Sequence, residues 1–218
     1  MEDNFGEEYF EKGTLSGYHG YNFGKTFWKA LVEDILETHH PKRVLDVGCA
    51  KGFLVECFLD FEIEAYGIDI SSYALQHAPD HVRPFLKQVD ITQEPIPFPD
   101  QYFDLITCLD VLEHLSELDH ALTEMYRCLR KNGKIVIKVP NPEHPDARGD
   151  VTHITILSRK AWIELFVKYG FEVKVLPSKS RGKILKKLPF SNVTRRIAFM
   201  LRKRLDNYWF ELTPLTTR

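Results

Sequence analysis

The chain has 218 residues, of which 44% are hydrophobic and 28% are charged, with a formal net charge of −2. This composition is typical of a single globular domain and excludes collagen, a coiled coil and a disordered tail. The absence of a long apolar run and of a secretion signal predicts a cytoplasmic protein without a transmembrane helix. The four cysteines do not approach C-x-x-C spacing, so we expect reduced thiols instead of a zinc site or disulfides.

Strands and helices alternate along most of the chain. The predicted helices are 22–39, 53–59, 72–78, 115–130 and 159–169, and the predicted strands are 43–47, 65–70, 85–89, 103–109, 134–139, 171–176 and 208–212. Because helices separate the strands, we expect an α/β, doubly wound, mostly parallel seven-stranded sheet whose last strand is antiparallel. Ligands in such sheets bind beyond the carboxyl ends of the strands.

Three regions are expected within this single domain. Residues 1–40 form an aromatic and glycine-rich N-terminal segment with a helix, residues 41–176 form the cofactor-binding core, and residues 177–218 form a basic insertion with the last strand. Residues 5–28 interleave aromatic residues with glycines, a composition typical of a segment that folds over a site or over the core.

The first predicted strand leads directly into a loop with glycines at Gly48 and Gly52. These glycines permit a tight turn and close packing of the next helix, whose N-terminal amides suit a carboxylate or phosphate. Asp69 ends the second strand, 21 residues after Gly48, where an acid can accept both hydroxyls of a ribose. Asp90 follows the third strand, within reach of an adenine amino group.

These features resemble the class I S-adenosylmethionine-dependent methyltransferases over residues 40–176. The resemblance rests on VLDVGCAKG, GIDIS, the strand before Asp90, FDLITCLDVLEHL and LRKNGKIVIKVPN. It implies the Rossmann-like methyltransferase fold, a transferase activity, S-adenosylmethionine as cofactor and S-adenosylhomocysteine as product.

The resemblance also assigns parts of the cofactor site. It implies that Gly48, Cys49 and Gly52 line the methionine end, that Asp69 holds the ribose and that Asp90 holds the adenine. Alanine stands at the middle position of the loop, where the family has a glycine. The complete predicted cofactor-binding set is Asp46, Gly48, Cys49, Ala50, Gly52, Asp69, Ile70, Asp90, Ile91 and Leu109.

Two histidines are the candidates for the catalytic base. His114 follows the fourth strand, and His153 lies after the fifth, so both should border the cofactor mouth. A histidine titrates near neutral pH and suits removal of a proton from a methyl acceptor. The alternatives are that His114 only packs against the cofactor loop and that His153 lies on a surface loop.

We predict no resident metal, although one set of side chains offers an alternative. Asp110, Glu113, His114 and His153 combine oxygen and nitrogen donors. The run D-x-x-E-H resembles the E-x-x-E-H of some metal-assisted O-methyltransferases, with the shorter Asp110 at the first position.

The N-terminal segment is expected to lie over the cofactor mouth, because it precedes the first strand. Its substrate or lid candidates are Tyr9, Tyr18, His19 and Tyr21. Closure of such a segment would exclude water from the site.

Ten Lys or Arg and no Asp or Glu lie between residues 179 and 204. This segment is compatible with a solvated helix, with an anionic membrane or phosphorylated acceptor, and with nucleic acid. We expect methylation of an oxygen of a small or lipid-linked acceptor, by a cytoplasmic protein that can also contact a membrane peripherally. The alternatives are a nucleic-acid methyltransferase and a cofactor-binding protein without catalysis.

Overall fold

The computed structural model describes residues 4–12, 25–143, 147, 149–176 and 207–215. The basic residues 179–204 and three of the lid candidates, Tyr18, His19 and Tyr21, lie outside these ranges.

The described residues form twelve main elements. The strands are β1 (Arg43–Val47), β2 (Glu64–Asp69), β3 (Leu86–Gln88), β4 (Phe103–Leu109), β5 (Leu129–Val139), β6 (Phe171–Val175) and β7 (Tyr208–Pro214). The helices are α1 (Lys25–His39), α2 (Phe53–Asp60), α3 (Ser72–Gln76), α4 (Asp119–Cys128) and α5 (Arg159–Lys168). None of the helices in the described ranges is long and apolar enough to cross a membrane.

All seven strands belong to one sheet in the order β3-β2-β1-β4-β5-β7-β6. Strands β1 to β5 pair in parallel, and β7 is antiparallel to both of its neighbours. The predicted doubly wound, mostly parallel seven-stranded fold is therefore confirmed. The order reverses between β1 and β4, which places the ligand-binding crevice beyond the carboxyl ends of these two strands.

Each face of the sheet is covered by helices, and each has its own apolar core. Trp28, Val32 and Phe58 of α1 and α2 pack on one face, together with Val44. Residues of α4 and α5 pack on the other face with Leu45, the next residue of β1. Successive side chains of a strand point to opposite faces, which explains why the buried runs RVLDV and FDLITCL are apolar almost throughout.

The fourth helix differs from its prediction. A helix was expected over 115–130 with Asn132-Gly133 as its end, but α4 is shorter and Leu129 already pairs with Phe103 of β4. Asn132 and Gly133 consequently lie within β5, at a shift in register. A Cβ at position 133 would lie 2.6 Å from Leu129 Cδ1, so a larger residue there would require Leu129 to move.

Two helices begin with a serine whose side chain caps the helix N-terminus. The amide of Ala74 donates to Ser71 Oγ at the start of α3, and the amide of Ala161 donates to Ser158 Oγ at the start of α5. Both serines act as N-caps, as their positions before apolar helical segments predict. All four cysteines are buried, and no disulfide joins them.

Candidate active site

The loop after β1 is held by the end of β2. The amides of Gly48 and Cys49 donate to the carbonyl of Ile68 over 2.8 and 3.1 Å. Gly48 has a φ of 73°, and a Cβ at this position would lie 2.2 Å from Val111 Cγ2. Backbone conformation and close approach therefore both require glycine here.

Asp69 at the end of β2 organises the middle of this loop. Its Oδ2 accepts from the amide of Ala50 over 2.7 Å, and its Oδ1 accepts from the amide of Ser71 over 2.8 Å. Burial raises the pKa of Asp69, and the donating amides oppose that shift. Ala50 adopts a φ of 48°, the left-handed conformation that the family's glycine would adopt without strain.

Asp46 is the next-to-last residue of β1, two positions before Gly48. Its Oδ1 accepts from Thr107 Oγ1 of β4 over 2.7 Å. Burial raises the pKa of Asp46 to about 7; the bond from Thr107 lowers it, and the charge of Asp69 raises it further. Asp46 therefore links the end of β1, from which the loop starts, to β4.

The side chains expected around the adenine lie beyond β3. Asp90 Oδ1 accepts from both the amide and the hydroxyl of Thr92, and Asp90 Oδ2 accepts from Gln93 Nε2 over 3.0 Å. Ile91 is buried. The remaining predicted cofactor residues, Ile70 and Leu109, are half-buried at the ends of β2 and β4.

The N-terminal segment lies across the cofactor loop. Tyr9 and Phe10 are buried against Ala50 and Ala74. Glu11 forms an ion pair with Lys51, the residue after Ala50. Of the four lid candidates, Tyr9 is thus in contact with the loop, and its ring lies 6.1 Å from that of His114, edge to face.

The two candidate bases meet although 38 residues separate them. The ring centroids of His114 and His153 lie 4.8 Å apart. His153 Nδ1 lies 2.7 Å from the carbonyl oxygen of Ala147, which can only accept, so Nδ1 carries the proton and Nε2 is left as the basic nitrogen. His153 is therefore not a surface histidine, which corrects that alternative.

A third residue, Asp150, connects the two rings. Its Oδ1 accepts from Thr152 Oγ1, and this hydroxyl lies 2.9 Å from His114 Nδ1. Its Oδ2 lies 3.8 Å from His153 Nε2. Burial, followed by the charge of His153, lowers the pKa of His114 to about 4, so His114 is neutral at pH 7.

Glu113 is the most deeply buried acid beside the histidines, with 1% of its surface exposed. Its Oε2 has no hydrogen-bond partner among the described residues. Burial, and next the charge of Asp110, raise its pKa well above the usual range. Donor atoms of Glu113, His114 and His153 lie within 4.8 Å of one another, a set that could hold a cation.

Asp110, the fourth member of the alternative metal set, has a different partner. Its carboxylate forms a very short ion pair with Lys138 Nζ, and its amide donates to the Lys138 carbonyl over 3.0 Å. Of the four residues in the alternative metal set, only Glu113, His114 and His153 are therefore grouped among the described residues.

The sequence interpretation missed three residues of this region. In the sequence, Lys138 is one polar residue in the alternating pattern of β5. Phe5 is one of many aromatic residues in the N-terminal segment, and its ring lies 5.4 Å from that of His114. Asp150 could have been found, because Asp-x-Thr is a turn in which the carboxylate accepts from the residue two positions on.

Comparison with known proteins identifies the family. The profile of a family described as a methyltransferase domain matches residues 18–175. The chain belongs to this family. The predicted class I S-adenosylmethionine-dependent methyltransferase, with S-adenosylmethionine as cofactor, is thereby confirmed at the level of the family.

Individual relatives are more distant. The chain is 32% identical over 130 residues to the uncharacterized methyltransferase YcgJ of Bacillus subtilis, covering 56% of this chain and 50% of that protein. It is 35% identical over 104 residues to a ubiquinone biosynthesis O-methyltransferase of Alkalilimnicola ehrlichii, covering 46% and 42%. The chain spans about half the length of the curated relatives it matches.

Solved structures share the fold at lower identity. The crystal structure of a SAM-dependent methyltransferase from Archaeoglobus fulgidus aligns with a TM-score of 0.65 at 23% identity, over 94% of this chain and 96% of that one. The structure of the Bacillus subtilis YcgJ protein aligns with a TM-score of 0.61 at 18% identity, over 87% and 99%.

Proposed function

We propose that the protein transfers the methyl group of S-adenosylmethionine to an oxygen atom of a small or lipid-linked acceptor. The observation that carries this proposal is the pair of adjacent histidines beyond β4 and β5, which Asp150 and Thr152 connect. A hydroxyl must lose its proton to become a good nucleophile, and a neutral imidazole can accept that proton. Relatives named ubiquinone biosynthesis O-methyltransferases support the same type of acceptor atom.

The residues of the cofactor half fit S-adenosylmethionine. No side chain caps the start of α2 at Gly52, so the first amides of this helix suit the methionine carboxylate. Asp69 would hold the ribose hydroxyls, because each carboxylate oxygen has a second lone pair beyond the one used by the loop amides. When bound, the cofactor supplies the methyl group, and its sulfur is the leaving group.

The acceptor half would handle the proton. His153 and His114 would receive it from the acceptor hydroxyl, and the carboxylate of Asp150 would stabilise the resulting positive charge. Tyr9 and Phe5, which lie edge-on to His114, would exclude water from this step.

Two features favour a lipid-linked acceptor. Val151 and Ile154, on either side of His153 in the chain, are 70% and 60% exposed. In addition, β6 ends and β7 begins at the edge of the sheet where β5 ends, and the sequence between them contains the ten Lys and Arg of residues 179–204. Exposed apolar side chains and a basic segment in the same chain suit an amphiphile with an anionic group. Nucleic acid is the second candidate, because the same ten charges also suit a phosphate backbone.

The test is transfer of a labelled methyl group from S-adenosylmethionine to fractionated cell extract. We expect label in the lipid or small-molecule fraction. Substitution of His153 or His114 by alanine should lower turnover about 100-fold, which is within the range for loss of a general base, and leave cofactor affinity within about twofold. His81→Ala is the matched control, because His81 is exposed and pairs with Glu56.

Each other outcome has a clear meaning. Full activity of both His153→Ala and His114→Ala would overturn the proton-transfer role. Label only in RNA would replace the proposal by the second candidate. Tight cofactor binding without label in any fraction would favour a protein that binds the cofactor without catalysis.

A further inference from the structure

A buried ammonium group lies at the junction of the two halves of the site. Lys138, near the end of β5, is 5% exposed, and its Nζ forms an ion pair with the carboxylate of Asp110. The two residues are also tied through the backbone, since the amide of Asp110 donates to the Lys138 carbonyl. Breaking a buried pair leaves an uncompensated charge, so each side chain holds the other in place.

The backbone of Asp110 is fixed by this arrangement. Asp110 has a φ of 58°, a left-handed conformation that non-glycine residues rarely adopt. Such conformations persist where the surroundings over-determine them and often occur at functional sites. The ion pair with Lys138 and the backbone bond to the same residue are two contacts that hold Asp110 in this conformation.

The cluster next to Asp110 has the donor atoms of a divalent-cation site. Glu113, His114 and His153 supply one oxygen and two nitrogens within 4.8 Å of one another. Ligand bonds of about 2.1 Å allow separations up to about 4.2 Å, so the three groups would need to approach by about half an ångström. The Nδ1 atoms of both histidines face oxygen atoms of the protein, which leaves the Nε2 atoms towards the cluster.

Asp110 is the carboxylate that would complete a four-ligand set, three residues before Glu113. Lys138 holds it instead. The same ammonium also acts on the cluster through space, because its positive charge favours the ionised form of Glu113 while Asp110 disfavours it. A divalent cation in the cluster would therefore lack the Asp110 ligand as long as Lys138 holds that carboxylate.

We propose that Lys138 is a positioning residue that keeps Asp110 out of the Glu113–His114–His153 cluster. The cluster then serves proton transfer in the proposed O-methylation, on which this inference rests, and does not hold a divalent cation. Lys138 thus determines which chemistry the two histidines perform.

The experiment is a titration of tag-free full-length protein with CoCl2, followed by calorimetry and by the absorption spectrum of the bound ion. We expect the wild type to show no stoichiometric binding. Lys138→Met removes the charge at similar volume and should bind one Co2+ at least tenfold more tightly than the wild type. Lys138→Arg, which keeps the charge, should behave like the wild type.

Lys134→Met is the matched control, because Lys134 lies on the same strand and its Nζ donates to Thr213 Oγ1 over 2.6 Å. It should bind Co2+ no better than the wild type. Stoichiometric Co2+ binding by the wild type overturns the proposal, as does a well-folded Lys138→Met that gains no affinity. If Lys138→Met does not fold, Lys138→Gln takes its place. A well-folded Lys138→Gln that binds Co2+ no more tightly than the wild type then overturns the proposal.

Activity provides a separate measurement. Wild-type methyl transfer should be unchanged by EDTA, whereas loss of transfer in EDTA contradicts the proposal. Failure of the methyltransferase assignment itself would appear as absent methyl transfer with or without metal. The cobalt titration would still report on Lys138, so the two failures can be distinguished.

Discussion

The cofactor half and the acceptor half of the cleft meet where the strand order reverses, and they are built differently. On the cofactor side, backbone amides and short turns after β1 and β2 define the shape, and Asp69 mainly fixes the loop. On the acceptor side, buried ionisable side chains such as Glu113 and His114 face one another. The first half therefore depends on backbone geometry, and the second depends on proton and charge balance.

The largest effect is expected from Gly48→Ala, which tests the backbone half. The new methyl group would overlap Val111 Cγ2, and alanine would be strained at a φ of 73°. Strain and overpacking together should cost about 4 kcal/mol, seen as lower unfolding free energy, weaker cofactor binding in calorimetry, or both.

A double variant separates the two causes. Adding Val111→Ala to Gly48→Ala removes the overlapping atoms, so only the strain of about 1 to 2 kcal/mol should remain. Gly6→Ala is the control, because a Cβ there meets nothing within 4 Å. If the single variant binds the cofactor normally and is as stable as the wild type, the comparison between the halves fails.

An effect of similar size is expected from Asp46→Asn, measured as unfolding free energy against pH. The folded-state pKa of Asp46 is about 7, above the ordinary value of 3.8, so the native state favours the protonated form. The stability from this group is complete below pH 3.8 and is lost as the pH rises to about 7. At 1.4 kcal/mol per unit, the loss is about 4 kcal/mol, and Asp46→Asn should remove this pH dependence.

The acceptor half should respond to pH in the opposite direction. The folded-state pKa of His114 is about 4, below the ordinary 6.5. Stability from this group is present above pH 6.5 and is lost as the pH falls towards 4, by about 3 kcal/mol. His114→Gln should reduce this fall in unfolding free energy at acid pH, whereas His81→Gln, at an exposed site, should leave it unchanged. If the unfolding free energy falls equally at acid pH in the wild type and both variants, His114 is not buried in its neutral form.

The same contrast explains how much the sequence could predict. The bounds of β1 and β4 are predicted to the residue, because their apolar runs end at turn-forming residues. The loop after β1 is also predicted, because its glycines follow directly on the end of that strand. The fourth helix is too long in the prediction, because helical periodicity continues past the point where the pairing of Leu129 with Phe103 takes over.

The meeting of His114 with His153 could not be derived in this way. It depends on the path of the chain after β5, which is set by the amides of Ile154 and Thr155 donating to the carbonyl of Glu113. The Lys138–Asp110 pair likewise depends on the register of β4 and β5, which pairs Leu109 with Lys138. No local pattern of residues encodes either contact.

The arrangement of β6 and β7 has a consequence for how such an enzyme can diversify. Leu176 is still attached to the sheet through its amide, which donates to the carbonyl of Trp209 over 2.9 Å. The thirty positions between Leu176 and Asn207 therefore begin and end on a fixed frame. Exchange of this one segment between homologous chains should leave the loop after β1 intact, because β2 holds that loop near the other edge of the sheet.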